Sequence, residues 1–226
     1  MPKQRLAGRN SPRDKRRSRA GTTYRAGHTT RAAILRESEA VLVELGHAGF
    51  SVRKVAERLG LAVGNVNYYF PTRDSLLIAL IQRLLAEYRQ GAKSNYGRSA
   101  LSGARLVGPL LGWLVTDAVR PRTSGVFRQL WAIAGTDPQI AATLDRFYER
   151  SAHGLLRVLG FEPSRRAGPE WEALLFLVLV ISEGSTVVFS TRKNSRTLLD
   201  RVLQLAQQAI VHLAEGLEHR PTPSRR

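Results

Sequence analysis

The sequence predicts an all-α fold, a three-helix unit near the N-terminus followed by a larger helical domain. Two observations carry this expectation. From about residue 30 onward, apolar residues recur at helical spacing, and no alternating strand pattern of useful length and no internal repeat occurs. The breaks between periodic segments fall where helices stop or start, at Gly46, Gly60 and Gly160 and at Asp137-Pro138 and Gly168-Pro169.

Residues 1–28 read as a disordered basic arm, with almost no large apolar side chains and a cluster of Arg13, Lys15, Arg16, Arg17 and Arg19 opposed only by Asp14. The first helix follows, with Ile34, Val41, Leu42 and Leu45 on one face, and ends at Gly46. Ser51 is a suitable N-cap for a second helix that turns Val52, Val55, Ala56 and Leu59 inward. A turn at Gly60-Leu61-Ala62 leads into a short third helix from Val63 to Phe70. Pro71-Thr72 closes it and caps a fourth, expected over about Arg73 to Tyr88. Beyond residue 97 the expected helices cover about Leu101–Val119, Ser124–Ala134, Pro138–Leu159, Pro169–Ser190 and Arg196–Glu218. The expected organisation is an arm (1–28), a three-helix unit (29–75), a helical domain (76–220) and a loose tail (221–226).

With 43% hydrophobic residues the chain can build a packed core. Its formal net charge of +17 favours a polyanionic partner, because neutralising phosphates releases condensed counterions. There is no cysteine, so neither a disulfide frame nor a cysteine-based zinc site can form. The basic N-terminus has no apolar stretch behind it, and the longest apolar run, Ala173 to Ile181, is short for a bilayer. A cytoplasmic protein with no membrane association is expected, without metal or cofactor.

The second and third helices form a helix-turn-helix, in which the second of the pair enters the major groove of DNA. Periodicity turns Val63, Val66 and Phe70 toward the core and leaves Ala62, Gly64, Asn65, Asn67, Tyr68 and Tyr69 outside. These outward residues are small or hydrogen-bonding and none is acidic, unlike an ordinary solvated face. Arg53, Lys54 and Arg73 sit in the first turns of their helices, where a cation opposes the helix dipole by ~0.3–1 kcal/mol. A neighbouring phosphate reverses that sign, since helix end and cation then share one anion.

The stretch from Ile34 to Leu80 resembles the DNA-binding domain of the TetR family of regulators. The resemblance rests on Ile34-Leu35, Gly46, Phe50-Ser51-Val52, Val55-Ala56, Gly60-Leu61, Gly64-Asn65-Val66, Tyr68-Tyr69-Phe70-Pro71 and Arg73-Asp74-Ser75-Leu76-Leu77. It implies a dimeric repressor that leaves its DNA operator when a small molecule binds the C-terminal half. By motif position it implies phosphate contacts at Ser51, Tyr68, Tyr69 and Arg73, to which the charge argument adds Arg53 and Lys54. The base-facing stretch would be Ala62, Val63, Gly64, Asn65 and Asn67. Asn67 stands where the family commonly has an aromatic residue, so base preference does not carry over.

In the C-terminal half, Trp113, Phe127, Arg128, Trp131, Phe147, Tyr148 and Phe176 are the candidate lining of an effector pocket for an apolar or aromatic small molecule. Asp145, Glu149 and His153 share one helix face, but Arg146 and Arg150 lie alongside, and the stripe reads as solvated. The last two helices are the expected homodimer interface. Two other readings exist: an architectural DNA binder without an effector, and a helical enzyme. The second lacks a nucleophile elbow, a phosphate loop or an HExxH motif.

Overall fold

The computed structural model describes the backbone of residues 12–161, 168–190 and 196–219, and side chains from residue 29 on. The described residues form nine helices and no strand. These are α1 (Pro12–Gly49), α2 (Val52–Leu59), α3 (Val63–Tyr69), α4 (Arg73–Tyr96), α5 (Ala104–Ala118), α6 (Pro121–Ala134), α7 (Pro138–Val158), α8 (Pro169–Phe189) and α9 (Arg196–Glu218).

Local chemistry sets the boundaries around the helix-turn-helix. Gly46, at φ 68°, interrupts α1 before its last few residues. The Ser51 side chain caps α2 by accepting from the Lys54 amide at 3.1 Å. Gly60 ends α2 at φ 63°, a left-handed conformation that costs glycine nothing, and the chain turns at once into α3. Thr72 and Ser75 form a reciprocal capping box that starts α4, each side chain accepting from the other's amide at 3.0 Å. Further along, Asp137 caps α7, and Pro121, Pro138 and Pro169 occupy first helical positions.

Several boundaries differ from expectation. Helix α1 extends back to Pro12, through most of the stretch expected to be a disordered arm. Pro12 fits the first turn, Arg, Lys and Ala are good helix formers, and a helix already nucleated downstream extends without a new nucleation cost. Residues 1–11 and the tail 221–226 lie outside the described residues. Helix α4 continues past Tyr88 to Tyr96, because its later turns gain a second apolar surface to cover. Helix α6 begins at Pro121 rather than Ser124, since proline there opens the helix instead of separating two.

Two cores result. The first buries Ile34, Leu42, Val55, Val66, Phe70, Leu76 and Leu80 of α1–α4 together with Phe127 and Leu130 of α6 and Ile140 and Phe147 of α7. The second joins α5, α7, α8 and α9 through Leu106, Leu110, Leu111, Leu155, Leu175, Val178 and Ile210. Tyr88 and Tyr148 pack against both. The packing therefore does not divide at residue 75, since α4, α6 and the first half of α7 belong to the core of the helix-turn-helix.

By length and composition α8 could cross a membrane, and its apolar stretch is longer than the run from Ala173 to Ile181. Trp171, Leu174, Leu175, Val178 and Leu179 are buried within the bundle, whereas Leu177, Val180, Val187 and Val188 are exposed. Helix α9 likewise exposes Leu198, Val202, Leu205 and Leu213.

Candidate nucleic-acid interface and bundle cavity

Helix α3 is anchored by Val66, which is fully buried, and by Phe70 at its C-cap. Anchors four residues apart set its rotation and leave Ala62, Gly64, Asn65, Asn67 and Tyr68 exposed. Val63 is 41% exposed, not turned into the core as periodicity suggested. Three residues subtend 300° on a helix, so Val63 lags the buried line through Val66 by roughly 60° and sits at the edge of the outward face. Tyr68 is the most exposed of the large hydrophobic residues described, at 83%, and meets Tyr69 edge-on at 5.1 Å. Tyr69 is half-buried against the core.

The cations flanking α3 differ in how free they are. Arg53 is exposed and makes no ion pair among the described residues. Lys54 pairs with Glu57 at 3.0 Å on the surface. The Arg73 guanidinium donates to the carbonyl oxygens of His47, at 3.0 Å, and Phe50, at 3.3 Å, and lies over the Phe50 ring. It thus ties the start of α4 to the segment before α2. Arg58 of α2, which sequence reasoning passed over, is gripped by Glu37 at 2.8 Å and Glu44 at 2.6 Å, both on α1. Together these contacts fix the orientation of α2 and α3 against α1 and α4.

In the larger half, a cavity of about 490 Å³ lies among α4, α5, α6, α7 and α8. Trp113, Phe127 and Phe147, expected from the sequence, line it together with Tyr88, Tyr96, Ser182 and Glu183. Ring centroids lie 6.1 Å apart between Tyr88 and Trp113, 6.3 Å between Tyr96 and Trp113, 6.2 Å between Tyr88 and Phe147 and 5.6 Å between Phe127 and Phe147. The aromatic wall is therefore continuous. Gly91 makes it possible, since a β-carbon there would come within 2.8 Å of the Trp113 ring.

The other expected lining residues do not join this cavity. Trp131, Tyr148 and Phe176 line a second, more open pocket of about 530 Å³ with Asp145, Glu149 and Glu183. Arg128 lines neither and is exposed. Its neighbour Phe127 points inward, and successive residues on a helix are turned by about 100°. His153 faces Glu172 across 3.8 Å rather than its own helix's carboxylates.

Glu183 sits in the wall shared by both pockets. The Trp131 indole donates to the Tyr148 hydroxyl at 2.9 Å, and Tyr148 lines the second pocket beside Glu183. Burial pushes the Glu183 carboxyl up to about 7, with the neighbouring Tyr148 hydroxyl pulling partly the other way. Burial also raises the Tyr148 and Tyr88 phenols. The Tyr88 hydroxyl donates to Asp117 at 2.8 Å. The sequence did contain signals for these residues. Tyr88, Ala92 and Tyr96 form an i, i+4, i+8 stripe once α4 is allowed its full length, and Glu183 is a lone carboxylate inside a strongly apolar helix.

An ionic cluster that is buried at Glu39 and Arg83 and open at Arg122 and Glu87 joins the two halves. Glu39 of α1, only 5% exposed, takes Arg83 of α4 and Arg122 of α6, and Glu87 adds ion pairs to Arg83 at 2.9 Å and Arg122 at 3.2 Å. Nearby, the Gln129 side chain of α6 accepts from the His47 amide at 2.8 Å.

Comparison with known proteins agrees with this architecture. The profile described as "Bacterial regulatory proteins, tetR family" matches residues 34–80. The transcriptional repressor KstR of Rhodococcus jostii is 26% identical over 194 residues, covering 80% of this chain and 82% of that protein. A solved transcriptional regulator of Rhodococcus sp. Rha1 superposes with a TM-score of 0.64 at 24% identity, over 84% of this chain and 99% of its own. A regulator from Saccharomonospora viridis, solved in complex with choline, superposes with a TM-score of 0.60 at 18% identity, over 85% of this chain and 97% of its own. The chain is thus a DNA-binding transcriptional regulator whose helix-turn-helix, residues 34–80, is similar to that of bacterial regulatory proteins of the tetR family.

Proposed function

We propose that the protein is a dimeric cytoplasmic repressor that reads a two-fold symmetric operator and is released when a small apolar or aromatic molecule enters the bundle cavity. The observation that carries this reading is the course of α4. Its first turn is locked to the helix-turn-helix by the Thr72–Ser75 box and Arg73, and its last turns, through Tyr88, Ala92 and Tyr96, wall the cavity. A ligand that prefers one placement of α4 therefore biases the placement of α3, a shift of population between two arrangements.

In this reading Ala62, Val63, Gly64, Asn65 and Asn67 face bases, and Arg53, Lys54, Tyr68 and Tyr69 face phosphates. The Ser51 hydroxyl and the unused donors of Arg73 reach phosphate while keeping their contacts within the fold. The exposed apolar stripes of α8 and α9 support a dimer, because eight of the twelve exposed large hydrophobic residues among the described residues lie on these two helices. The choline held by the Saccharomonospora viridis protein supports a small-molecule site in a bundle of this kind.

The test is selection of bound DNA from a random pool, followed by a screen of small molecules for loss of binding to the selected site. A palindromic site with half-sites about one helical turn apart, and a compound that both perturbs Trp113 and releases the DNA, are expected. A single asymmetric short site would overturn the dimeric reading. Compounds that fill the cavity and never change operator affinity would leave an architectural DNA binder.

A further inference from the structure

The bundle cavity contains a carboxyl group, Glu183, that has no ion-pair partner among the described residues. Glu183 projects from α8 into the cavity wall, and no ion pair to it exists among the described residues. The Tyr148 hydroxyl, itself held in place by the Trp131 indole, shares the wall of the second pocket with Glu183, and no cation neutralises the carboxyl among the described residues. A buried charge is normally paired, and leaving one unpaired is costly. Elsewhere this fold obeys that rule: buried Glu39 is met by two guanidinium groups.

The remaining wall is what a cation would need. Tyr88, Tyr96, Trp113, Phe127 and Phe147 supply five ring systems around one space, and the faces of such rings attract positive charge. The volume, about 490 Å³, is that of a small-molecule site. Three cations also border the cavity, Arg89, Lys93 and Arg157, and all three are exposed. Water and salt screen them, whereas the field of a withdrawn carboxylate is screened much less. On the other side of Glu183 the second pocket adds Asp145 and Glu149 and no cation.

Resting on the reading of this cavity as the effector site, we propose that its ligand is an apolar or aromatic molecule bearing a cationic centre, an amine or quaternary ammonium, with Glu183 as the counterion and the aromatic wall around the charge. Binding then depends on the ionisation of Glu183. The charged and titratable groups that line the two pockets with it are Tyr88, Arg89, Lys93 and Tyr96 from α4, and Asp145, Tyr148, Glu149 and Arg157 from α7, with Asp117 of α5 bonded to the Tyr88 hydroxyl.

The experiment uses the full chain and three probes of one size, followed by calorimetry and Trp113 fluorescence. These are benzyltrimethylammonium, its uncharged carbon isostere neopentylbenzene, and the anion 3-phenylpropionate. At pH 8 benzyltrimethylammonium should bind about tenfold or more tighter than neopentylbenzene. That advantage should vanish in Glu183→Gln, and in the unaltered protein it should shrink as pH is lowered from 8 to 5.5. The pH series needs no variant and stands even if Glu183→Gln folds poorly. Equal binding of cation and isostere, tightest binding of 3-phenylpropionate, or affinity for the cation that rises on acidification would each overturn the proposal. If the isostere binds and releases operator DNA while the cation has no advantage, the effector reading survives and the cationic ligand falls. If none of the three perturbs Trp113, both fall.

Discussion

Helix α3 exposes Gly64, Asn65, Asn67 and Tyr68 within five consecutive positions of one helix, whereas the cavity gathers Tyr88, Trp113, Phe147 and Glu183 from four helices. The two regions also treat polarity in opposite ways. The outward face of α3 is polar and needs nothing from the rest of the chain beyond its buried anchors, Val66 and Phe70. The cavity wall is largely apolar, and its carboxyl, Glu183 of α8, sits beside a hydrogen-bonded pair, Trp131 and Tyr148, that joins α6 to α7. A surface built from one short segment can be altered without disturbing stability, whereas a cavity assembled over long range cannot.

The largest expected effect lies between the two regions. Glu39→Ala removes the carboxylate that Arg83 and Arg122 share and leaves the Arg83 guanidinium largely buried without it. Thermal or denaturant unfolding should show a loss of about 3 kcal/mol. A loss below about 0.5 kcal/mol would mean that the cluster is no more than a surface pair.

Glu183→Gln sharpens the contrast through pH. The Glu183 carboxyl titrates higher in the folded protein, about 7, than the ordinary 4.5, so the folded state holds its proton more tightly. Its burial therefore costs little below pH 4.5, and stability is lost as pH rises from there through 7. The glutamine variant should be roughly 1–3 kcal/mol more stable than the parent at pH 8 and nearly equal to it at pH 4. An equal effect at both pH values would refute this origin.

At Asn65 on α3 the expected effect falls on binding alone. Asn65→Ala should relax operator preference at particular base pairs by roughly 1–3 kcal/mol while leaving the melting temperature within about a degree. A large fall in melting temperature would erase the contrast drawn above. The smallest effect is at Gly64, where an added β-carbon would meet nothing within 4 Å. Gly64→Ala should raise stability by up to about 1 kcal/mol, through helix propensity, and weaken operator binding if the helix backbone approaches the groove closely. Unchanged binding would leave the glycine without a role in DNA approach.

The same contrast explains what could be read from the sequence. Ser51, Gly60, Thr72 and the spacing of Val55, Val66 and Phe70 act over a few residues, so the helix-turn-helix and its outward face were legible. Of the expected cavity residues, Trp113, Phe127 and Phe147 converge, but Trp131, Tyr148 and Phe176 turn to a second pocket and Arg128 to solvent. Composition identifies aromatic residues in helices, yet which side of a bundle each faces depends on helix packing that no local signal encodes. Tyr96 was lost with the last turns of α4, and Glu183 lies just past the apolar run from Ala173 to Ile181, where nothing local marks it as facing a cavity.

The Glu39 cluster has a practical corollary. Contacts made to phosphates by exposed cations such as Arg53 weaken steeply as counterions are added, while a pair as withdrawn as Glu39 and Arg83 is screened far less. Concentrated electrolyte should therefore strip nucleic acid from this strongly basic chain during purification while the joint between α1, α4 and α6 stays closed.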